Sequence, residues 1–365
     1  MTPVQIPALD PAPLPAPSWL FHALLIVTFF AHILFLNVTL GGGAIAAVHG
    51  ALARTGDAPG RRLGRLMAGI LPASISFTIT TGVAPLLFVQ VLYAQLFYPA
   101  TILVGWIWLA LLVLLVAGYY AVYLHKFEAG GRGALPVWMA VAALCFFLVA
   151  GVQTLVNVLQ LTPVRWAAIA VGAESAFRDP TMLPRLLHFV LGSVAVAGMF
   201  LALLAVEREH RAPDPFHHWL ARRGIGWAVV ATGLQVAIGF WFLFALPQGP
   251  KAALMGGGTT ETALLVLGIG LGVFTLIVLS RIDEPARERG LVRAAAGAIL
   301  VTVLSMVVLR DVVRGLYVAP FVRLRELPTR TQMDLTFLFF GIFVLGLATV
   351  AWMLRASARG HQAAA

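Results

Sequence analysis

Residues 17–50 read PSWLFHALLIVTFFAHILFLNVTLGGGAIAAVHG, and this stretch decides the fold class. It is one apolar run that, at about 1.5 Å per residue in a helix, is long enough to cross a bilayer. His32 lies near its middle, where an imidazole without a polar partner is costly and polar side chains usually have a function. The stretch therefore predicts a membrane-spanning helix with His32 as its most informative residue.

The composition extends this prediction to the whole chain. Of the 365 residues, 60% are hydrophobic and only 11% are charged, whereas soluble domains carry roughly 25% charged residues. The net charge of +10 does not indicate nucleic-acid binding, because the basic residues fall in short loops between apolar runs. A single cysteine, Cys145, excludes an intrachain disulfide, covalently attached haem and a cysteine-rich metal site.

The hydrophobic runs predict an all-α polytopic membrane protein with nine spanning helices and no strong internal repeat. A proline-rich stretch, 1–17, is expected to be an extended leader outside the bilayer and not a cleaved signal, because it lacks a positive n-region. A single transmembrane domain, 18–356, follows, and 357–365 form a cytoplasmic tail. The expected spans are 18–49, 66–93, 99–125, 136–160, 184–206, 224–246, 262–281, 291–312 and 334–355.

The basic residues predict that the N-terminus is outside and the C-terminus is cytoplasmic. With that orientation, 16 of the 25 basic residues fall on the cytoplasmic side: Arg54, Arg61, Arg62, Arg65, Lys126, Arg132, Arg208, Arg211, Arg222, Arg223, Arg281, Arg287, Arg289, Arg293, Arg355 and Arg359. Five of the other nine lie in the last external segment, 310–330. Basic residues placed against the rule indicate a local need, such as anionic haem propionates or an acidic partner, although a solvated loop would also accommodate them.

Histidines near the expected outer face suggest non-covalently bound haem, because imidazole is a common axial ligand of its iron. His188 has Arg185 three residues before it on the same helix face, where a cation could pair with a propionate. Small residues follow His188 and would let a macrocycle or a helix approach closely. The alternative is a purely structural role, in which this face packs against another helix and the histidine lies at its end. His22 lies at a depth similar to that of His188, whereas His49 and His125 lie at cytoplasmic helix ends, where histidines are common.

All 15 acidic residues fall in expected loops or at span ends. Membrane enzymes that deliver protons generally need acidic or histidine side chains at depth, and this chain offers only His32 together with amides and hydroxyls. Electron transfer has no such requirement.

Four segments resemble subunit I of the cytochrome bd quinol oxidases. HILFLNVTLGGG (32–43) is similar to the first-helix segment whose histidine ligates a haem of the oxygen-reducing pair. RLLHFVLGSVAVAG (185–198) resembles the fifth-helix segment that binds the low-spin b haem. TGVAPLLFVQ (81–90) and RDVVRGLYVAP (310–320) stand where the family has a second-helix motif and an external motif. Nine spans with an external N-terminus are also that family's layout.

The chain departs from the family at the positions that serve oxygen chemistry. Gln90 replaces a glutamate, and the third span lacks the two carboxylates that the oxidases carry there. The loop 247–261 is too short for the family's quinol-binding loop. No methionine opens the seventh span as a sixth ligand of the low-spin haem; Met255 and His22 are the substitutes that the sequence offers. Oxygen reduction is therefore not expected.

The resemblance implies a haem-b electron-transfer subunit in a bacterial inner membrane. Its cofactor-binding residues would be His32 and His188 as iron ligands, His22 or Met255 as further ligands, and Arg185, Arg310 and Arg314 as propionate partners. Electrons would pass between the quinone pool and an external, c-type cytochrome partner, which makes the chain a candidate quinol:cytochrome oxidoreductase subunit.

Two other classes remain open. A haem-free scaffold could keep the fold and anchor a respiratory complex. A small-solute transporter could use glycine-rich breaks, such as Gly41–Gly43 and Gly268–Gly272, around a midplane site. The absence of inverted repeats and of midplane charge counts against the transporter.

Overall fold

The computed structural model describes residues 6–7, 13–52, 58–129 and 137–363. Within these residues nine helices are long and apolar enough to cross a membrane, which confirms the predicted number of spans. Arg54, Arg132 and most of the expected leader lie outside the described residues. The helices are α1 (Ser18–Leu52), α2 (Ala58–Leu103), α3 (Gly105–Ala129), α4 (Val137–Leu161), α5 (Met182–Arg211), α6 (Pro215–Ala245), α7 (Thr259–Leu279), α8 (Arg289–Val318) and α9 (Met333–Ala363).

The largest difference from the expected boundaries is in α2, which runs for 46 residues. Its backbone leaves helical geometry at Tyr93, where φ is −134° and ψ is 31°. Sequence reasoning ended the second span at this residue and began the third at 99. In the structure, 94–103 continue α2 beyond the kink, and α3 begins only at Gly105.

The first eight helices form two four-helix bundles, α1–α4 and α5–α8. In each bundle the first helix packs along the second, the third packs along the fourth, and the first also contacts the fourth. The two bundles meet mainly along α1 and α5. α9 stays apart from both, since none of the residues of its most apolar stretch is buried.

The two bundles share the same pattern of helix contacts and a matching spacing of residues. At the crossing of α1 and α5, the hydroxyl of Ser193 donates to Oδ1 of Asn37 at 2.9 Å, and these two residues are 156 positions apart. His32 and His188 have the same separation, and each lies five residues before the crossing pair. The two histidines therefore occupy equivalent positions in the two halves of the protein.

The triple glycine of α1 lets α5 approach closely at this crossing. Residues 41–43 are helical, and a side chain at Gly41 would collide with the backbone of Ser193. Small residues allow membrane helices to approach this closely. Gly268–Gly272 are helical as well, within α7. Neither glycine-rich stretch is a break of the kind that the transporter hypothesis required.

Ion pairs and backbone pairing close the predicted outer end, which carries the start of α1 and the end of α8. Leu14 pairs with the segment before α9, since its N–H donates to Pro328 and its carbonyl accepts from Arg330, each at 2.8 Å. Between α4 and α5, the guanidinium of Arg165 donates to Glu174 at 2.8 Å and to Asp179 at 3.2 Å. These contacts fix the connections above the helix ends.

At the predicted inner end, side chains join α2 to the start of α6 and α5 to α8. Both terminal nitrogens of Arg62 donate to the carboxylate of Asp214, one of them at 2.9 Å. This pairing lowers the pKa of Asp214 to about 2. Arg293 donates to Glu207 at 2.7 Å. His49 is buried, and its Nε2 accepts a hydrogen bond from the indole of Trp227 at 3.1 Å.

Replacing Gly224 with valine is expected to destabilise the second bundle. A Cβ at Gly224 would lie 2.6 Å from the carbonyl oxygen of Gly198 and 2.7 Å from the backbone nitrogen of Ala202. Backbone atoms cannot rotate aside, so α5 and α6 must separate, and overpacking of this kind costs about 1–3 kcal/mol or more. Thermal unfolding of the purified protein in detergent measures the effect as a lower midpoint.

Gly226→Val is the matched control. Gly226 lies two residues after Gly224 on the same helix, and a Cβ there would meet nothing within 4 Å. It should unfold near the wild-type midpoint. Equal midpoints for the two variants would contradict the close crossing of α5 and α6.

Candidate functional site

His32 projects from α1 toward α2, where its Nδ1 lies 2.9 Å from the backbone carbonyl oxygen of Thr78. A carbonyl oxygen can only accept, so Nδ1 carries the proton and donates it. In the neutral ring Nε2 then holds the free lone pair. This is the arrangement by which proteins orient a histidine for metal ligation, with one nitrogen tethered and the other available.

The face of α2 opposite His32 is bare backbone. A Cβ added at Gly82 would lie 2.8 Å from Cε1 and 2.9 Å from Nδ1 of His32. Gly82 is one turn beyond Thr78, so the same stretch of α2 supplies both the tether and the space for the ring. Any larger side chain at Gly82 would fill the cradle in which the imidazole lies.

His188 occupies the related position between α5 and α6. A Cβ at Gly239 would lie 3.3 Å from its Cε1, and Gln235, one turn before Gly239, places its amide nitrogen 3.5 Å from Nε2. Nδ1 of His188 is buried and has no hydrogen-bond partner in the described part of the chain. The second site thus repeats the histidine and the glycine, but a side-chain amide at a long distance replaces the firm backbone tether.

Each histidine has one arginine about a turn closer to the predicted outer end. Arg185 is on the same helix as His188, and its Nη1 donates to Oδ1 of Asn157 on α4 at 3.3 Å. The position related to Arg185 in the first bundle is Phe29. The guanidinium of Arg310, on α8, lies 4.3 Å from the ring of Phe29 and within electrostatic range of His32. The cation therefore comes from the histidine's own helix at His188, and from the fourth helix of the other bundle at His32.

Guanidinium nitrogens of Arg185 and of a third arginine, Arg314, are buried without being fully satisfied. Nε and Nη2 of Arg185 and Nη1 of Arg314 are buried without a hydrogen-bond partner among the described residues, and Arg314 is only 5% exposed. Within those same residues neither Arg185 nor Arg310 has a carboxylate at salt-bridge distance. Burying a cation in this way is costly unless an anion compensates for it. Arg185, one of the three arginines predicted to bind propionates, thus lies in a place suited to a bound anion, whereas Arg314 already has Asp311 at 3.6 Å.

The two weaker candidates for iron ligation are placed differently. Nε2 of His22 is 2.5 Å from Oδ2 of Asp311, so this nitrogen is already engaged. Met255 lies in a single π-turn, Ala253–Gly257, and is 59% exposed. His125 is buried at the predicted inner end, as His49 is.

Sequence reasoning missed the residues that complete these sites. Asp311 was expected at a span end, but it is a buried residue of α8, 8% exposed. Thr78, Gly82 and Gly239 carry no signal in the sequence, because each is unremarkable in an apolar helix. A comparison of the chain with itself at a spacing of 156 would have aligned His32 with His188 and Asn37 with Ser193.

No group of three or more His, Cys, Asp or Glu side chains able to hold a metal ion occurs in the described ranges. Haem does not need such a group, because the porphyrin supplies four ligands and the protein adds one or two. The tethered imidazole of His32, the glycine cradles and the buried guanidinium groups fit a haem better than a chelated ion.

Comparison with known proteins supports the helical architecture described above. No family model matches the chain, and no curated protein matches it. Among solved structures it is similar to a chain of the bd oxidase from Geobacillus thermodenitrificans, with a TM-score of 0.71 and 14% sequence identity. The match covers 95% of this chain and all of the other. The protein is therefore an all-helical, multi-pass membrane protein with a bd-oxidase-like fold.

Proposed function

We propose that this protein is a haem-b electron-transfer subunit, related to subunit I of the bd oxidases, that works between the quinone pool and an external cytochrome. One observation carries the proposal: the two equivalent histidines each have an arginine about a turn away. At the first site Arg310 provides the cation beside Phe29, and at the second Arg185 provides it beside Asn157. Helix packing alone does not require an arginine at each site, yet each site has one, although Arg310 comes from α8 and Arg185 from α5.

The proposed ligands follow from this geometry. Nε2 of His32 and a ring nitrogen of His188 would bind the iron of one haem each. Arg185, Arg310 and Arg314 would pair with the propionates. Among the described residues neither Arg185 nor Arg310 has a carboxylate at salt-bridge distance, whereas Arg314 has Asp311 at 3.6 Å. When bound, haem b supplies one-electron chemistry, and the protein sets its potential through the axial ligands, nearby charge and burial.

His22 and Met255 are the further axial ligands that we propose. His22 would have to release Asp311 before its Nε2 could ligate a metal. Met255 is free of that constraint and lies on the connection before α7, where the related family supplies a methionine.

The proposed partner is a c-type cytochrome that docks at the outer end, on a bacterial inner membrane. Basic residues persist there despite the positive-inside tendency. The Arg323 side chain is 72% exposed, with its one short contact to Glu326. Such charges steer an acidic partner toward the surface.

Oxygen reduction is not part of the proposed function. The chain has Gln90 in place of an acid, and residues 101–123 contain no carboxylate. A proton-consuming reaction at depth would need such groups.

An anaerobic electron-transfer assay tests the proposed function. Purified protein in nanodiscs is mixed with decylubiquinol or a short-chain menaquinol, and the reduced b-type α band is followed; oxidised cytochrome c is then added. Reduction by quinol and reoxidation by the cytochrome are expected, with no oxygen uptake in air. A b-type spectrum that responds to neither reagent would contradict the proposed redox partners. Solute uptake by liposomes that contain the protein without haem would favour a transporter instead.

A further inference from the structure

Three arginines surround one carboxylate where α5 and α8 meet at the predicted inner end. Arg293 of α8 donates to both oxygens of Glu207 of α5, from Nε at 2.7 Å and from Nη2 at 3.0 Å. Arg211 lies one turn after Glu207 on α5, and Arg289 lies one turn before Arg293 on α8. Both are within electrostatic range of the same carboxylate. One negative charge therefore faces three guanidinium groups.

Two of these guanidinium groups are left without a charge partner. Arg293 occupies both oxygens of the carboxylate, and in the described part of the chain neither Arg211 nor Arg289 has a carboxylate at salt-bridge distance. Nη1 of Arg289 is buried and has no hydrogen-bond partner among these residues. A buried donor of this kind is costly until it finds an acceptor. An anion from outside the chain would supply that acceptor.

An exposed apolar stripe runs along α8 from these arginines toward the middle of the span. The Arg293 side chain is 51% exposed, and Gly297, Leu300 and Leu304 follow it at spacings that place them on the same helix face. Leu300 and Leu304 are exposed, and a Cβ at Gly297 would meet nothing within 4 Å. Exposed apolar residues of a spanning helix face lipid, so the stripe is a surface on which an acyl chain can lie.

The depth of the arginines matches the head groups of the membrane. Arg289 is the first residue of α8, and Arg293 is about 6 Å further along the helix axis. The expected span, 291–312, begins between these two residues. Basic side chains at this level, between two spanning helices, attract the anionic lipids of the adjoining leaflet.

The charges and the stripe together select the ligand class. A zwitterionic phospholipid would bring its own ammonium group toward the arginines, whereas an anionic phospholipid presents a phosphodiester without a compensating cation. Inorganic phosphate would satisfy the arginines but would leave the apolar stripe unused. An acidic protein segment would do the same unless it also entered the membrane.

We infer that the cleft between α5 and α8 binds an anionic phospholipid. Its phosphodiester accepts from Arg211 and Arg289, and an acyl chain lies along Gly297, Leu300 and Leu304. No residue of this site belongs to the two histidine sites, which lie toward the other end of the helices. The inference therefore stands whether or not haem binds.

Native mass spectrometry of the purified full chain in detergent tests the site. Phosphatidylglycerol and phosphatidylcholine with identical acyl chains are titrated separately, and phosphatidylglycerol is expected to bind about tenfold more tightly. Arg289→Gln and Arg211→Gln should each weaken phosphatidylglycerol binding about tenfold, as expected for the loss of one charge-assisted hydrogen bond. Binding of phosphatidylcholine should stay the same.

Arg222→Gln is the matched control, because it removes an exposed arginine at the predicted inner end of α6, away from Glu207. It should bind phosphatidylglycerol like the wild type. A second measurement needs no arginine variant to fold: phosphatidylglycerol with a diazirine in its acyl chain, illuminated with the wild-type protein in nanodiscs, should label residues 297–304. Excess unlabelled phosphatidylglycerol should compete with this label, and excess inorganic phosphate should not.

Three results would overturn the inference, each with a different meaning. Equal binding of the two phospholipids would leave the arginines to an acidic protein partner. An equal loss of binding in Arg222→Gln would mean that diffuse surface charge attracts the lipid. Displacement of the lipid by inorganic phosphate would indicate a site for the free anion. None of these measurements involves haem, so a colourless preparation would remove the proposed function and leave the lipid site intact.

Discussion

Replacing His188 with alanine is expected to remove one of two haem b groups, and replacing His32 is expected to remove the other. The two histidines lie at equivalent positions 156 residues apart and face different helices, so neither can take over the other's site. Haem b is held only by its axial ligands and its surroundings, and loss of a ligand empties the site. Pyridine haemochrome content per chain should fall from two to one in each single variant and to zero in the double variant.

His210→Ala is the control for this series, because it changes an exposed histidine at the end of α5. Its haem content should match the wild type. A wild-type content of one haem that either single variant loses, with a normal unfolding midpoint, would mean that one haem bridges the two histidines. Full haem content in the double variant would contradict their assignment as ligands.

Replacing Arg310 with glutamine is expected to lower the midpoint potential of the haem at His32 by about 50 mV. A nearby cation stabilises the reduced haem, which carries one more electron, and removing the cation favours the oxidised form. A shift of this size is close to a tenfold change in the equilibrium, since 59 mV corresponds to a factor of ten for one electron. The measurement is a redox titration in the His188→Ala background, where only the first haem remains.

Arg185→Gln should do the same to the haem at His188, measured in the His32→Ala background. Arg178→Gln, an exposed change in the loop before α5, should shift neither potential by more than a few millivolts. Combining Phe29→Arg with Arg310→Asn rebuilds at the first site the pairing that Arg185 and Asn157 make at the second, and it should restore most of the lost potential. Equal shifts from Arg178→Gln would indicate a general surface effect and would contradict site-specific pairing.

Hydropathy was sufficient to predict the nine spans, because a helix that crosses lipid must be apolar along its whole length. The ends of α1 and α4 were placed within a few residues by the same reasoning. The kink at Tyr93 was not predicted. Apolar residues continue on both sides of it, so hydropathy contains no signal for the change of direction.

The matching arrangement of the two bundles was missed for a different reason. Membrane helices share a small set of apolar residues, so two halves can keep equivalent packing while their sequences diverge. Only residues with a specific contact retain a recognisable spacing, as do the two histidines and the Asn37–Ser193 pair. Arg310 of α8 provides the cation near His32, whereas Arg185 provides it from the same helix as His188. This difference could not be found without the structure, because it depends on how α8 packs against α1.

Asp311 shows the limit of classifying acids by their position along a span. Near the end of an apolar run it counts as interfacial, but the contacts of α1 with α8 bury it against His22. The resemblance of four short motifs to bd oxidase subunit I agreed with the fold. It did not indicate this acid–imidazole pair, because the pair depends on the packing of two distant helices.

The haem content of the purified wild-type protein tests the central claim most directly. A pyridine haemochrome assay with iron analysis on the same sample should give two haem b groups per chain, with a b-type α band after reduction. A colourless preparation without iron, from a protein that is folded and monodisperse, would contradict it.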